Sequence, residues 1–582
     1  MSERQAPSEA SHETVHAGQA PAAAARKTAL AGLASSVFDV LVIGGGVTGC
    51  GVALDAASRG LSVALVEKRD FAAGTSSRSS KLIHGGLRYL ERMDLGLVRE
   101  ALHERRLLLQ TIAPHLVRAT PFLFPLKRPV WDRLVMGSGL LLYDSLAGAH
   151  SAVPRHHHLS RTACLRDVPS LRAEALSGGI CYYDAQVDDA RFAVMLACTA
   201  MTMGALCVPA IDVVAFRHEG DRVSGVRVRD LETADECEVR ARVVINATGV
   251  WTTEIERLAG VRSPLSVRPS KGVHIVVPKD RIDSSYALIL PTERSVLFVL
   301  PWGDEWIIGT TDTEWRFGLD HPSATHSDIA YLLRHVNAVL REPLSYRDIT
   351  GVYVGLRPLV GSAAGDTARM SREHVVRRSA PGLVSVAGGK YTTYRPMAQD
   401  AVDAAARELP FAVDASRTAS VPLLGAVGLS GAGYRLRRHP GARGLTPEQL
   451  EHLVRRYGTV ASRVLDLSTD DSRLAEPLSG AGKYLAAEVR YATLHEGALH
   501  IDDVLTRRTH IAFDVADRGA RAAEPVARLM APALGWDEHA VQREITHYRA
   551  RLDAEQAAQS MLDDAAADSA RSPVRDLRLL AE

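Results

Sequence analysis

The apolar residues of this chain first form a clear pattern between residues 38 and 67. Five of the six residues from Phe38 to Ile43 are apolar, which is typical of a buried parallel strand. Glycines follow at once, and Val47 to Arg59 then has the small alanines of a closely packed helix. A second apolar run over residues 62–66 ends at Glu67. The pattern predicts a strand, a tight turn, a helix and a second strand.

Two further patterns follow along the chain. Alternating apolar residues predict a strand meander over 206–248. The runs 271–278, 296–301 and 306–312 predict strands of an antiparallel sheet, and 327–341 predicts one helix that follows them. Beyond residue 410, helical spacing of Ala, Arg, Glu and Leu replaces the strands. The predicted class is α/β (α+β), with a Rossmann-like domain, an antiparallel-sheet domain and a C-terminal all-helical domain. The predicted bounds are 1–37 for a disordered extension, 38–410 for a discontinuous Rossmann-like region with the sheet inserted at about 256–350, and 411–582 for the helices.

The glycines between the first strand and helix carry the first chemical signal. Gly44, Gly46 and Gly49 have the spacing G-x-G-x-x-G directly after the strand. The first glycine allows the turn, the second lets a pyrophosphate approach the backbone, and the third lets helix and strand pack closely. Glu67 stands where an acceptor for a ribose hydroxyl is expected. A glycine-rich turn without a ligand is the alternative, but the ordered set of elements favours a dinucleotide site.

Composition excludes several classes of protein. The 582 residues carry 69 Lys plus Arg against 68 Asp plus Glu, and the net charge of +1 gives no general attraction to nucleic acid. The six cysteines contain no C-x-x-C pair, as expected for reduced cytosolic thiols. No apolar run is long enough to span a bilayer, so any membrane contact would be peripheral. We predict no metal site, because the consecutive His156 to His158 cannot converge on one ion.

A segment rich in Ser, Thr and Gly, Thr75 to Glu91, supplies donors that suit an extended cofactor. Together with Ile43 to Gly49, it is similar to the FAD-dependent glycerol-3-phosphate dehydrogenases of the respiratory, quinone-linked type. The resemblance covers about residues 38–540 and is densest over 38–91 and 355–395. It implies FAD as cofactor, bound by Gly44, Gly46, Gly49, Glu67, Thr75, Ser76, Ser80, Leu82, His84, Gly86, Gly249, Gly389, Thr392 and Thr393.

Flavin oxidation of a secondary alcohol requires a hydride acceptor, a group that takes the hydroxyl proton, and cations for a phosphate dianion. On chemistry alone, Arg357 and Arg372 lie in short motifs near a glycine turn, and His274 lies mid-strand where an apolar residue would pack better. Arg372 also fits an ordinary surface ion pair, and His274 a satisfied core histidine.

The resemblance implies a role for each of these residues. It makes Arg357 and Lys390 the groups nearest the reacting C2–O bond and His274 the proton acceptor, and these three are the predicted catalytic residues. It also implies that the substrate is contacted by Arg88, Tyr89, Thr311 and Arg372, with its phosphate held by the two arginines.

The implied function is oxidation of sn-glycerol 3-phosphate to dihydroxyacetone phosphate by hydride transfer from C2 to flavin N5, with electrons passed to membrane quinone. The implied location is the cytoplasmic face of the membrane, and residues 122–143 are open to interpretation as core, lid or membrane contact. A glycerophosphate oxidase using oxygen is the closest alternative, and another FAD-dependent hydroxy or amino substrate oxidoreductase or a non-catalytic FAD or NAD scaffold is less favoured. Nucleic acid is not an expected partner, and the sequence leaves a homo-oligomer open.

Overall fold

The structure is a computed structural model that describes residues 22–128, 130–148, 151–261, 266–293, 296–361 and 373–581. Its helices are α1 (Ala22–Ser35), α2 (Val47–Ser58), α3 (Leu95–Leu107), α4 (Trp131–Ala147), α5 (Arg161–Asp167), α6 (Asp189–Thr202), α7 (Thr252–Leu258), α8 (His326–Asn337), α9 (Tyr394–Ala406), α10 (Ala432–Arg437), α11 (Pro447–Tyr457), α12 (Ala461–Asp470), α13 (Ala486–His495), α14 (Ile501–Asp503), α15 (Ile511–Asp514), α16 (Ala523–Leu534), α17 (Glu538–Ser560) and α18 (Asp564–Arg571). Its strands are β1 (Val37–Ile43), β2 (Val63–Glu67), β3 (Leu82–Ile83), β4 (Val117–Leu126), β5 (His157–Ser160), β6 (Gly178–Val187), β7 (Leu206–Pro209), β8 (Ile211–Glu219), β9 (Arg222–Asp230), β10 (Glu236–Asn246), β11 (Val267–Pro278), β12 (Ala287–Pro291), β13 (Val296–Trp302), β14 (Glu305–Gly309), β15 (Thr313–Glu314), β16 (Gly351–Val360), β17 (His374–Ala380), β18 (Leu383–Gly388), β19 (Pro477–Leu478) and β20 (Ala481–Leu485).

The first sheet has a parallel centre covered on both faces. Its order is β17-β18-β10-β1-β2-β7, and β18, β10, β1, β2 and β7 run parallel. Val40 and Val42 of β1 pack in one core with α2, α6 and α9, whereas Leu41 and Ile43 pack in another with α1, β8 and β9. Burial on both faces explains the nearly continuous apolar sequence of β1. The predicted Rossmann-like element order is confirmed.

Residues 22–35 correct the prediction of a disordered extension through residue 37. They form helix α1, whose Leu33 is fully buried against the first sheet. Arg26 donates to the carbonyl of Pro209 at 2.7 Å and to Asp230 Oδ1 at 2.5 Å. This helix was hard to predict, because its few apolar residues stand among alanines and only the completed sheet offers a surface for them.

The second sheet is larger than predicted. Its order is β15-β11-β14-β13-β12-β4-β6-β3, with β16 paired to β11 and β5 paired to β6. The predicted insertion at about 256–350 therefore omits β3 to β6, which come from residues 82–187. β12 runs parallel to β4, with Ala287 opposite Phe122 and Leu288 opposite Leu123. This pairing joins segments 165 residues apart in the chain, and neither segment contains a local signal for it.

The C-terminal region consists mainly of helices α10 to α18, but a two-stranded hairpin, β19–β20, interrupts the predicted all-helical pattern. Buried ion pairs fix the C-terminal region to the first domain. Asp70 is fully buried and accepts two hydrogen bonds from Arg508 at 2.7 Å and one from Arg507 at 2.5 Å. Since Asp70 follows β2 directly, this contact places the C-terminal helices beside the end of the parallel sheet.

Candidate active site

The turn between β1 and α2 brings three backbone segments unusually close together. Gly44 has a φ of +106°, and a Cβ at this residue would lie 2.8 Å from the carbonyl oxygen of Ala247 in the loop after β10. A Cβ at Gly49 would lie only 1.9 Å from the carbonyl oxygen of Gly44. Gly46 is the N-cap of α2 and supplies no side-chain cap, and the backbone N–H of Val47 donates to the Ser76 hydroxyl at 2.9 Å. The glycines therefore permit the close packing. The N-terminus of the helix, which carries a partial positive charge, faces a cavity.

That cavity has a volume of about 1320 Å³ and extends from the glycine turn to the second sheet. Most of the predicted cofactor residues line it, namely Gly44, Gly46, Glu67, Thr75, Ser76, Ser80, Leu82, His84, Gly86, Gly249 and Gly389. Gly49, Thr392 and Thr393 are not among its lining residues and lie behind them. The sequence motifs of both chain halves thus converge on one space large enough for an extended dinucleotide.

Glu67 connects the end of β2 to the glycine turn. Its two carboxylate oxygens accept hydrogen bonds from the backbone N–H of Gly45 at 2.6 Å and of Arg69 at 2.8 Å. Burial raises the pKa of Glu67, and the two backbone donors oppose that rise. The carboxylate therefore orders the turn at the cavity edge, and its contact with a ribose remains a prediction.

Thr392 and Thr393 support the wall of the cavity from behind. The Thr392 hydroxyl accepts from the backbone N–H of His84 at 3.1 Å and donates to the His84 carbonyl at 3.2 Å. The Thr393 hydroxyl donates to the Lys390 carbonyl at 3.4 Å. The two Thr392 bonds connect the 75–91 segment with the turn after β18, whereas the Thr393 bond stays within that turn, and contact of the two threonines with a cofactor remains a prediction.

Two predicted catalytic cations face the cavity at the second sheet. Arg357 of β16 donates to the Thr311 carbonyl at 3.2 Å and to the Thr310 hydroxyl at 3.1 Å, and lies 3.5 Å from Asp312. Lys390 lies at the turn after β18, with its Nζ 3.7 Å from the centre of the Tyr89 ring. Both side chains line the cavity, as does Tyr89. A negatively charged substrate in this part of the cavity would meet a guanidinium and an ammonium group.

His274 lies in the middle of β11 and is almost completely buried, although it still lines the cavity. Its Nε2 lies 2.9 Å from the Ser80 hydroxyl, and its ring stacks on Tyr353 with 4.7 Å between centres. Burial, and then the charges of Arg357 and Lys81, hold the pKa of His274 well below 6.5. The ring is therefore neutral at pH 7, and its Nδ1 has no hydrogen-bond partner among the described residues.

The remaining predicted substrate residues have different outcomes. Thr311 does not line the cavity, because its hydroxyl faces β11 and accepts from the backbone N–H of Val273 at 3.0 Å; its neighbour Thr310 lines the cavity instead. Contact of Thr311 with the substrate stays a prediction, and Thr310 is the residue of this pair that lines the cavity. Arg88 lies on the short turn Leu87–Arg92, where only its backbone is described. Arg372 lies outside the described residues.

Comparison with known proteins identifies the family. Residues 39–395 match the family of FAD dependent oxidoreductases, and residues 416–541 match the C-terminal domain of alpha-glycerophosphate oxidase. Glycerol-3-phosphate dehydrogenase 2 of Mycobacterium tuberculosis (strain H37Rv) is 52% identical over 556 residues, covering 95% of each chain. The chain belongs to the glycerol-3-phosphate dehydrogenase family. A relative from Mycobacterium leprae is 51% identical over 541 residues, which cover 93% of this chain and 92% of the relative.

Solved structures agree with this assignment and identify the cofactor. The glycerol-3-phosphate dehydrogenase from Bacillus halodurans complexed with FAD has a TM-score of 0.75 and 28% identity, covering 91% of this chain and 97% of that chain. FAD is therefore the cofactor of this dehydrogenase family member, as predicted. The described residues fit it, because the N-terminus of α2 and the loop residues Thr75 and Ser76 line one continuous cavity.

Helix α4 forms a wall of the cavity that sequence analysis did not assign. Residues lining the cavity from this helix are Val135, Met136, Ser138, Gly139 and Leu142. The same helix exposes Trp131 by 63%, Leu134 by 62% and Leu141 by 63%. Within 122–143, β4 is mostly buried and also lines the cavity through Phe122 and Phe124, whereas α4 is a cavity wall with apolar residues facing out. The sequence signal was the apolar run 134–142, which does not reveal which residues face the site.

Proposed function

We propose that this protein oxidises sn-glycerol 3-phosphate at C2 to dihydroxyacetone phosphate. The observation that carries the proposal is the meeting of Arg357, Lys390 and neutral His274 on the cavity whose other end is the glycine turn. When bound there, FAD supplies the acceptor for the hydride that leaves C2. The protein residues must then bind the phosphate, hold the C2 hydroxyl and take its proton.

In this proposal, Arg357 and Lys390 stabilise the negative charge that develops on the C2 oxygen as its proton leaves. Fixed cations in a partly buried site are effective here because they do not reorganise during the reaction. Arg357 is held by the Thr310 hydroxyl and the Thr311 carbonyl, so its guanidinium is already oriented. Arg88 and Arg372 are proposed to hold the phosphate, on the strength of the sequence motifs alone.

His274 is the proposed proton acceptor. A base must be unprotonated before the reaction, and burial keeps this imidazole neutral. The Ser80 hydroxyl at 2.9 Å fixes the ring orientation from one side. A dianionic substrate would raise the pKa of His274, because it adds negative charge beside Arg357 and opposes the effect of that cation. The ring would thus become more basic when substrate is present.

We further propose that the electrons pass to a quinone and that α4 meets the cytoplasmic face of the membrane. Support comes from the exposed Trp131, Leu134 and Leu141 on a helix that also lines the cavity. Apolar side chains of a surface helix enter the boundary between headgroups and acyl chains, and a lipid-soluble acceptor would be concentrated there. Within the described part of the chain, no helix is long and apolar enough to cross a bilayer.

An anaerobic titration tests the substrate assignment. Glycerol 3-phosphate should bleach the flavin absorbance of the purified holoenzyme, whereas glycerol at the same concentration should not. Unchanged flavin absorbance with both compounds would contradict the proposal. An oxidase is the second candidate, favoured by the match of residues 416–541 to an oxidase C-terminal domain. Stoichiometric peroxide from the reduced enzyme in air, with no reoxidation by a quinone analogue, would identify the oxidase.

The membrane proposal has its own test. Replacing Leu134 and Leu141 by Glu should abolish the stimulation of quinone reductase activity by lipid vesicles, while anaerobic flavin reduction stays unchanged. Leu562→Glu is a matched control, since Leu562 is 73% exposed in the segment between α17 and α18. Equal loss of stimulation in the control, or none in the α4 variant, would contradict a membrane contact through α4.

A further inference from the structure

A second, smaller cavity lies where the C-terminal helices pack against β16 and residues 77–78. Its volume is about 50 Å³. Five guanidinium groups line it, from Arg78, Arg507, Arg518, Arg551 and Arg571. Among the described lining residues, the opposing carboxylate is that of Glu555. The lining is therefore strongly basic, and it is separate from the glycine turn.

The five arginines differ in how their charge is balanced. Arg507 and Arg551 have acidic partners: Arg507 lies 2.5 Å from Asp70, and Arg551 Nε lies 3.0 Å from Glu555. Arg78 and Arg518, by contrast, have no carboxylate within 4.0 Å in the described chain. Arg78 donates to the Val354 carbonyl at 3.3 Å, and Arg518 donates to the Gln559 side-chain carbonyl at 3.0 Å. Two positive charges at this cavity thus lack a direct ion pair, and Glu555 acts on both of them from beyond 4.0 Å.

The pKa values agree with this imbalance. Nearby carboxylates raise the pKa of Arg551 despite its burial. Burial, and next the positive charge of Arg551, lower the pKa of Arg78 to about 9. Burial lowers the pKa of Arg571 to about 10, although Glu555 lies 3.8 Å away. These arginines remain charged at neutral pH, and an anion between them would relieve the cost of burying them.

Two buried side-chain nitrogens at the cavity have no partner among the described protein atoms. Arg518 Nη1 and His321 Nε2 are both buried without a hydrogen-bond partner. Burial keeps the pKa of His321 well below 6.5, so its ring is neutral, and in the tautomer with the proton on Nε2 it offers one N–H to an acceptor. Arg518 is held in place with a φ of +53°, and Tyr548 donates to its carbonyl at 2.8 Å. Buried donors without acceptors are rare in proteins, which indicates that a ligand completes this arrangement.

We propose that this cavity binds one inorganic tetrahedral oxyanion, such as phosphate or sulfate, between Arg78, Arg518 and His321. Size limits the ligand: one water needs roughly 10–15 Å³ of such space, so the cavity has room for a small oxyanion but not for a nucleotide or sugar phosphate. Donors on three separate segments suit a tetrahedral acceptor with several oxygens. The anion would also join the C-terminal helices to residue 78, which lines the catalytic cavity as well.

Equilibrium dialysis of the FAD-loaded enzyme with radiolabelled phosphate, at constant ionic strength, tests the proposal. One phosphate per chain should remain bound under anaerobic conditions when saturating glycerol 3-phosphate competes for the catalytic cavity. Arg518→Gln should weaken that phosphate by about 10- to 100-fold, the equivalent of one charge-assisted hydrogen bond. Arg521→Gln is the matched control, because Arg521 is exposed three residues further along and pairs with Asp517.

Several results would overturn the oxyanion site. One is the absence of any phosphate that survives glycerol 3-phosphate, and another is equal affinity in the wild type and Arg518→Gln. A third is complete displacement by an equal concentration of chloride. If Arg518→Gln fails to fold, His321→Asn and the wild-type stoichiometry decide the matter. Failure of the substrate proposal is seen separately, because glycerol 3-phosphate would then neither bleach the flavin nor reduce phosphate binding.

Discussion

Alanine substitutions at Gly46 and Gly49 should separate cofactor binding from folding of the same turn. At Gly46, with a φ of −76°, a new Cβ would meet only the Ser76 hydroxyl at 3.1 Å. That hydroxyl accepts from the Val47 backbone N–H at 2.9 Å and must shift by a few tenths of an ångström, so the unfolding free energy of the apoprotein should fall by about 1 kcal/mol at most, the value of one weakened hydrogen bond. At Gly49 the Cβ would lie 1.9 Å from the Gly44 backbone oxygen, and the helix must move. Forced movement of packed backbone costs roughly 1–3 kcal/mol or more.

The cofactor should respond in a different way. Gly46 lines the cavity, so its Cβ would keep a pyrophosphate from the N–H groups at the start of α2. Losing one charge-assisted hydrogen bond costs roughly 1.5–3 kcal/mol, which is about 10- to 100-fold in the FAD dissociation constant. Urea unfolding of the apoprotein and titration of FAD fluorescence measure the two effects. Gly96→Ala is the control, because nothing lies within 4 Å of its Cβ position on α3. Wild-type FAD affinity in Gly46→Ala, or a wild-type unfolding midpoint in Gly49→Ala, would refute the reasoning.

Two further substitutions test the site and the domain contact. Arg357→Lys should slow the limiting rate of flavin reduction by about 10²-fold and affect substrate binding less, because a fixed transition-state donor is lost. Stopped-flow absorbance measures both the rate and the binding. An equal effect on the two would contradict the role of Arg357 as a transition-state donor. Asp70→Ala should cost roughly 3–5 kcal/mol of unfolding free energy, because it leaves the buried Arg508 without its carboxylate. Urea unfolding measures this loss, and Glu451→Ala, in an exposed pair with Arg455, should cost no more than about 0.5 kcal/mol. Similar losses in the two variants would argue against a domain contact through Asp70.

The elements closest to the glycine turn were predictable because their signals are local. The predicted helix from Val47 to Arg59 is α2, Val47–Ser58, and the predicted second strand is β2. The membership of the second sheet was not predictable in the same way. β4 contains Pro121 and Pro125 and joins β12 only through tertiary pairing. Hydrophobic periodicity reports which face of an element is buried, but not which distant strand lies beside it.

The site shows the same division at the level of single residues. A histidine in an apolar strand was enough to single out His274, since a buried polar ring requires a reason, and the residue does line the cavity, but its catalytic role stays a prediction. The choice between Thr310 and Thr311 was beyond the sequence, because adjacent residues point to opposite sides and a motif match cannot fix which side faces the cavity. Arg78 was missed as well, although its neighbours were assigned to the cofactor. Its significance depends on Arg518 and Arg571, which come from the other end of the chain.

The charges around His274 lead to a prediction about pH. In the free enzyme, the pKa of His274 is held well below 6.5 by burial and by the charges of Arg357 and Lys81. The second-order rate of flavin reduction should therefore fall only when the pH drops below 6.5. A bound dianion opposes the cations and raises that pKa, so the limiting rate at saturating substrate should begin to fall at a higher pH than the second-order rate. Stopped-flow measurements from pH 5 to 9 provide both profiles. His274→Gln should remove the acidic limb of the limiting rate, whereas the second-order rate should keep a limb at about pH 6, because the substrate phosphate is protonated there. An acidic limb of the limiting rate that persists in His274→Gln would show that another group takes the proton.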